Sequence, residues 1–206
     1  WNLPEFNPLS LAATRAVVED HGLAVVAIGS SACFHSPDAS ERERNLDSAL
    51  RMAEIAAGLG AAAVRVFGDR IQPGGTRGQT AQWIADSLTQ LADRLKPEGV
   101  QVWLETHGDF ATVVEVSEII AQLESADVGI IWDPANAFEQ CGEVPHLLPS
   151  MAARVRHLHL KDLIRGSQNS FHYVPTGEGE FPFEAAFDAL AETGFDGFAS
   201  FEWEKL

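Results

Sequence analysis

The stretch Val100-Gln101-Val102-Trp103-Leu104-Glu105 is a short apolar run that ends on a carboxylate. The same grammar recurs at Val128-Gly129-Ile130-Ile131-Trp132-Asp133, at Val155-Arg156-His157-Leu158-His159, and at Phe198-Ala199-Ser200-Phe201-Glu202. Each run has the length and the β-branched or aromatic content of a buried strand. Helix-like segments are expected between such runs, at Leu9–Asp20, Ser40–Leu59, Thr76–Lys96, Thr112–Leu123, Leu147–Ala153 and Pro182–Glu192. Two earlier runs, Leu23–Ile28 and Ala61–Phe67, complete six expected strands. Strict alternation of buried strands and helices predicts an α/β protein with a parallel sheet, either a barrel or a doubly wound open sheet. No Gly-x-Gly-x-x-Gly follows the first strand and no Gly-Lys-Ser/Thr loop is present, which removes the dinucleotide and P-loop versions. The polar loop Arg70–Gln79 reads equally as a lid or as plain surface.

Strand ends in a parallel barrel open onto one face, where chemistry is done. Three carboxylates (Glu105, Asp133 and Glu202) and one imidazole (His159) meeting there would make a hard, oxygen-rich site for one divalent metal. The alternative for any one of them is a salt bridge or a loop cap.

Composition bounds the rest. The chain has 206 residues, 46% of them apolar, which suits one domain with one core over residues 1–206. A formal net charge of −16 repels phosphate backbones and argues against nucleic-acid and anionic-membrane partners. No run of 18 apolar residues predicts a membrane span, and no signal peptide is visible at Trp1-Asn2-Leu3-Pro4-Glu5. Cys33 and Cys141 lack metal-ligand spacing and read as free thiols of a reducing cytoplasm.

The motifs Leu104-Glu105-Thr106-His107, Trp132-Asp133-Pro134-Ala135-Asn136, His157-Leu158-His159-Leu160-Lys161-Asp162, Gly177-Glu178-Gly179-Glu180 and Phe198–Glu202 occur in one order along the chain. Together they resemble the xylose isomerase-like TIM-barrel family, the sugar phosphate isomerase/epimerase superfamily. The resemblance implies a TIM-type (β/α) barrel of eight strands, so that two units would precede Trp1 and a final helix would follow Glu202. The chain is therefore expected to be a trimmed version of a longer one, because an open six-stranded sheet would leave two long edges.

The resemblance also implies roles. Glu105, Asp133, His159 and Glu202 match the family's metal ligands, and Glu105 and Glu202 would be the acid/base pair. It selects His159 over His157, and strand alternation then puts His157 and Lys161 on the same side at different depths. Lys161, His107, Asn136 and Arg165 are the expected substrate contacts; each has a structural alternative, such as Lys161 pairing with Asp162 or Arg165 lying in solvent. Phe34, Phe67 and Trp132 either wall the pocket or pack the core. The implied chemistry is proton abstraction beside a carbonyl of a small sugar, polyol or sugar-derived substrate, through an enediolate stabilised by one divalent ion. Mn²⁺ or Mg²⁺ suits the oxygen-rich set, and Co²⁺ or Zn²⁺ can occupy it.

The chain departs from the sugar 3-epimerase pattern. Asn136 stands three after Asp133, where those enzymes carry histidine, and Ala111 stands six after Glu105, where they carry glutamate. His159-Leu160-Lys161-Asp162 looks closer to inosose dehydratase, which makes a lyase the runner-up. An endonuclease IV-like phosphodiesterase would draw on His35, His107, His146 and His172 but faces the charge of −16. A non-catalytic sugar-binding barrel is the third reading. A homo-oligomer stays open.

Overall fold

Side chains on a strand alternate between two faces, and in this chain both faces are put to use. The computed structural model describes residues 10–125, 127–144, 146–166 and 170–202. Six parallel strands form one sheet in the order β1-β2-β3-β4-β5-β8. They are β1 (Ala27–Cys33), β2 (Ala63–Phe67), β3 (Gln101–Glu105), β4 (Val128–Trp132), β5 (Val155–Leu160) and β8 (Phe198–Phe201). Helices α1 (Leu11–Asp20), α2 (Ala39–Leu59), α3 (Arg77–Leu95), α4 (Val113–Ile120), α5 (Pro134–Cys141), α6 (Pro149–Ala152) and α7 (Phe183–Ala191) run alongside. A two-stranded antiparallel hairpin, β6 (Asp162–Arg165) and β7 (Phe171–Val174), stands between β5 and α7.

One face of each strand packs under the helices. Val64 and Val66, Val102 and Leu104, Ile130 and Trp132, and Leu158 and Leu160 join the main core, which also takes in Phe34. The helices fill it from the other side with Ala49 and Ala53 of α2, Leu88 and Leu91 of α3 and Val116 and Ile119 of α4. The intervening positions make a second, smaller cluster of Ala63, Trp103 and Ile131 on the inner face. That face lines a cavity of about 670 Å³, walled by Ala27 and Gly29 at one end, Ile131 and His157 in the middle, and Ser200 and Glu202 at the other. Residues beside β1 and β8, the two edges of the sheet, border the same cavity, so the sheet curls round it.

Local chemistry sets the helix ends. Asp38 caps α2 by accepting from the Ser40 N–H at 2.8 Å, and Gly60, at φ 73°, ends it in the left-handed conformation. Thr76 and Gln79 form a reciprocal capping box on α3, so the polar 70–79 stretch leads directly into a helix. Among the described residues no helix is long and apolar enough to cross a membrane.

Three sequence expectations are corrected. The first strand lies at Ala27–Cys33, not Leu23–Ile28, because pairing with β2 runs from Ala27↔Ala63 to Cys33↔Phe67. That ladder breaks between Gly29 and Cys33, where the Ser30 hydroxyl donates to the Arg65 carbonyl at 2.6 Å. The segment after Asp133 is a helix, α5, where none was expected. The expected helix at 147–153 shrinks to Pro149–Ala152.

The β6–β7 hairpin is the other addition, and a single carboxylate ties it down. Buried Asp162 accepts from the N–H groups of Leu163 (2.9 Å), Gly177 (2.8 Å), Gly179 (2.9 Å) and Phe181 (3.2 Å). A Cβ on Gly179 would fall 2.1 Å from Asp162 Oδ1, so the approach requires glycine. The two motifs His157–Asp162 and Gly177–Glu180 therefore meet through the Asp162 carboxylate.

Two outcomes are expected. Replacing Asp162 by alanine strands several buried N–H donors, so Gly177, Gly179 and Phe181 should lose hydrogen-exchange protection and stability should fall by about 1–3 kcal/mol in chemical denaturation. Gly129→Val should cost about 1–3 kcal/mol in the same assay, because a Cβ there would lie 2.4 Å from Trp103 Cδ1 on the crowded inner face. Native-like stability in either variant would contradict the packing described.

Candidate metal centre

The inner-face register sets the site. On β3 the inner positions are Trp103 and Glu105; on β4, Ile131 and then Asp133; on β5, His157, His159 and then Lys161; on β8, Ser200 and then Glu202. Parallel pairing aligns them, with Glu105 opposite Ile131, Ile131 opposite His157 and His159 opposite Ser200. One ligand atom from each of Glu105, Asp133, His159 and Glu202 lies within 4.8 Å of the others. Glu105, Asp133 and His159 are buried, and the Glu202 side chain is 31% exposed on the cavity side.

Each member is held differently. Asp133 is the N-cap of α5: its Oδ1 accepts from Ala135 N–H (3.0 Å) and Asn136 N–H (3.2 Å), and Pro134 sits at the first helical position. Its Oδ2 is buried without a hydrogen-bond partner. Lys161 Nζ lies 2.7 Å from that oxygen and 3.9 Å from Glu202 Oε2, as a charge contact. Glu105 Oε2 accepts from Arg65 at 2.5 Å. His159 Nδ1 lies 3.4 Å from Glu105 Oε1 and 3.1 Å from Glu202 Oε1, yet it too is buried without a directed hydrogen bond.

Electrostatics follow from this crowding. Burial pushes the Glu105 carboxyl up, but the adjacent His159 and Arg65 outweigh it and hold the group at about 2. Burial pushes Asp133 up against the pull of Lys161. Burial alone would lower Lys161, but Asp133 first and then Tyr173 and Glu202 raise it, so it stays protonated. His157 is pushed down to about 4 by burial and by neighbouring His159. It therefore stays neutral, with Nε2 2.9 Å from the Ser200 hydroxyl and its ring stacked on Trp103.

Three carboxylates crowd against two cationic side chains, Arg65 and Lys161, and one imidazole, His159, which burial pulls down but Glu105, Glu202 and Asp133 raise. Two of the group's ligand atoms, Asp133 Oδ2 and His159 Nδ1, have no hydrogen-bond partner. Buried groups left in that state are costly, and a divalent cation among the four would satisfy them together. The residues present fit such an ion.

The other predicted residues are placed as follows. Lys161 joins the quartet. Asn136 is buried and donates its amide to the Thr106 carbonyl at 2.8 Å, fastening α5 to the end of β3. His107 Nδ1 lies 3.1 Å from Asp69 Oδ1, away from the quartet. The Arg165 guanidinium lies over the Phe171 ring at 5.0 Å, in the hairpin. Phe34 and Trp132 are core residues, whereas Phe67 carries the Arg65 guanidinium over its ring at 4.2 Å.

Sequence reasoning missed Arg65, Tyr173 and Glu139. Arg65 had a signal, a lone charge inside the apolar run Ala63–Phe67. Tyr173 donates to Glu139 at 3.0 Å, and its ring lies 5.5 Å from Lys161 Nζ. Burial lifts the Glu139 carboxyl and pushes Tyr173 up to about 12. Both residues sit on elements the sequence did not disclose, α5 and β7.

Known proteins share this fold. The chain is 27% identical over 143 residues to inosose dehydratase of Serratia proteamaculans (strain 568), a match covering 60% of this chain and 48% of that enzyme. It thus spans about half the length of the curated relatives it matches. Among solved structures, the IOLI protein with a bound zinc atom superposes at a TM-score of 0.80 and 20% identity, covering 94% of this chain and 72% of that one. A D-tagatose 3-epimerase-like protein gives a TM-score of 0.79 at 19% identity, covering 98% and 78%. At these identities the likeness speaks for the fold, an α/β TIM-type barrel. The family model described as xylose isomerase-like TIM barrel matches residues 2–206, and the chain belongs to that family.

Proposed function

We propose that Glu105, Asp133, His159 and Glu202 hold one divalent metal ion in an isomerase or epimerase acting on a small sugar, polyol or sugar-derived substrate. The observation that carries this reading is the convergence of three carboxylates and one imidazole within 4.8 Å at the exits of parallel strands. An oxygen-rich set of this kind suits Mn²⁺ or Mg²⁺ and accepts Co²⁺ or Zn²⁺. When bound, the ion supplies Lewis acidity, stabilising negative charge that develops on substrate oxygens.

The chain's own residues supply the rest. Glu105 and Glu202 come from strands separated in the sheet by β4 and β5, so they reach a substrate from different sides. One takes the proton beside the carbonyl, giving an enediolate, and the other returns it to the same or the neighbouring carbon. Arg65 fixes one Glu105 oxygen, which makes Glu202 the freer of the two. Lys161 is the predicted substrate contact that lies with the quartet; protonated, it can donate to a substrate oxygen. Neutral His157, held between Trp103 and Ser200, keeps the floor of the cavity rigid beneath His159.

A lyase is the second reading, favoured by the match to inosose dehydratase. The same proton removal would be followed by departure of a hydroxyl from the adjacent carbon, with Lys161 supplying the proton that turns it into water.

The test is solvent exchange. With metal present, a panel of keto-sugars and inososes in D₂O should show deuterium incorporation beside the carbonyl. An epimer or isomer as product marks the first reading, and loss of water marks the second. Glu105→Gln and Glu202→Gln should each lower exchange by about 10²–10⁴-fold while leaving the circular dichroism spectrum unchanged. Wild-type exchange in both variants would contradict the assigned roles.

A further inference from the structure

We infer that Cys33, His35 and Asp69 form a second cation site at the same mouth, one that selects a thiophilic divalent ion such as Zn²⁺. A ligand atom from each of the three lies within 4.8 Å of the others, and all three residues are partly buried. The backbone places them together. Cys33 ends β1, and Cys33-Phe34-His35 continues the alternation: Phe34 is wholly buried in the main core while its two neighbours face the other way. Asp69 follows β2, whose last residue, Phe67, is the register partner of Cys33.

Asp69 is held in place with some effort. It is the one described non-glycine residue with positive φ, at 66°, a conformation most side chains adopt rarely. Its carbonyl accepts from the Asp109 N–H at 2.7 Å, and Gly108 makes that approach feasible, since a Cβ there would lie 2.3 Å from the Asp69 oxygen. The carboxylate thereby sits between two imidazoles, with Oδ1 3.1 Å from His107 Nδ1 and Oδ2 3.8 Å from His35 Nδ1. His35 Nδ1 is also 3.1 Å from the Gly68 carbonyl. With the proton on Nδ1 donated there, Nε2 keeps the lone pair, the arrangement that orients imidazole ligands in metal sites.

Thiolate, imidazole and carboxylate together are a zinc-type set, and three protein ligands leave a fourth position open. The quartet differs in kind, being oxygen-rich and without sulfur. Arg65 binds Glu105 of the quartet and lies over Phe67, whose ring meets His107 at 4.9 Å.

Cobalt titration followed by absorption spectroscopy tests this. Co²⁺ bound to thiolate shows a near-ultraviolet charge-transfer band, which oxygen and nitrogen ligands alone do not give. The wild-type chain should develop the band and saturate it by two equivalents, since the quartet also takes Co²⁺, and the Asp133→Ala/His159→Ala double variant, which removes only the quartet, should saturate it by one. The band should vanish in Cys33→Ser and require at least tenfold more Co²⁺ in Asp69→Asn. Absence of the band in the wild-type chain would overturn the site, whatever the variants do. So would a band that survives in Cys33→Ser, which would assign it to Cys141.

Discussion

Mutual repulsion among carboxylates is the constraint around which this molecule is arranged. Parallel strands with period-two alternation bring Glu105, Asp133 and Glu202 to one face, and the low polarity of a packed interior makes their proximity expensive. The chain meets that cost in parts. Arg65 is laid across the inner face of β2 to reach Glu105, and Lys161 extends β5 to reach Asp133. His159 stands between two of the carboxylates without a directed bond to either. The crowded group has the donor types and the spacing of a divalent cation site, so the electrostatic cost and the proposed function are one feature.

Several residues join scaffold and site. Asp133 uses one oxygen to start α5 and turns the other toward Lys161 and the quartet, so shortening or neutralising it would disturb a helix as well as a ligand set. Thr106 accepts from the Asp133 N–H at 2.8 Å, and its carbonyl receives the Asn136 amide, which locks the exits of β3 and β4 together. Asp162, next to Lys161, gathers four N–H donors from the hairpin and the glycine loop. The lysine that meets the quartet is thus flanked by the best-anchored carboxylate in the region.

Much of this was legible in the sequence, and the limits are physical. The positions of β2 to β5 and β8 follow from apolar runs ending in polar residues, and the quartet follows from where those runs stop. The first strand lies later than expected because hydrophobicity peaks at Leu23–Ile28 while the ladder to β2 runs through Ala27, Ile28, Gly29 and Cys33, with the Ser30 hydroxyl on the Arg65 carbonyl at its break. Helix α5 was hidden because eight residues show too little periodicity, although Asp133-Pro134 carried its N-cap signal. The β6–β7 hairpin has mixed polarity and is held by long-range bonds to Asp162, which no local pattern reveals. With those elements went Glu139 and Tyr173. His35 was legible only as one of several available histidines, and its grouping with Cys33 and Asp69 was not, because their spacing is unremarkable along the chain and only the register of β1 on β2 brings them together.

The central claim is that the quartet binds one hard divalent ion. The most direct test is Mn²⁺ binding followed by electron paramagnetic resonance, because Mn²⁺ favours oxygen-rich sites over thiolates. The account predicts about one bound Mn²⁺ per chain and none in the Asp133→Ala/His159→Ala variant. Failure of the wild-type chain to bind Mn²⁺, or equal binding by the variant, would contradict it.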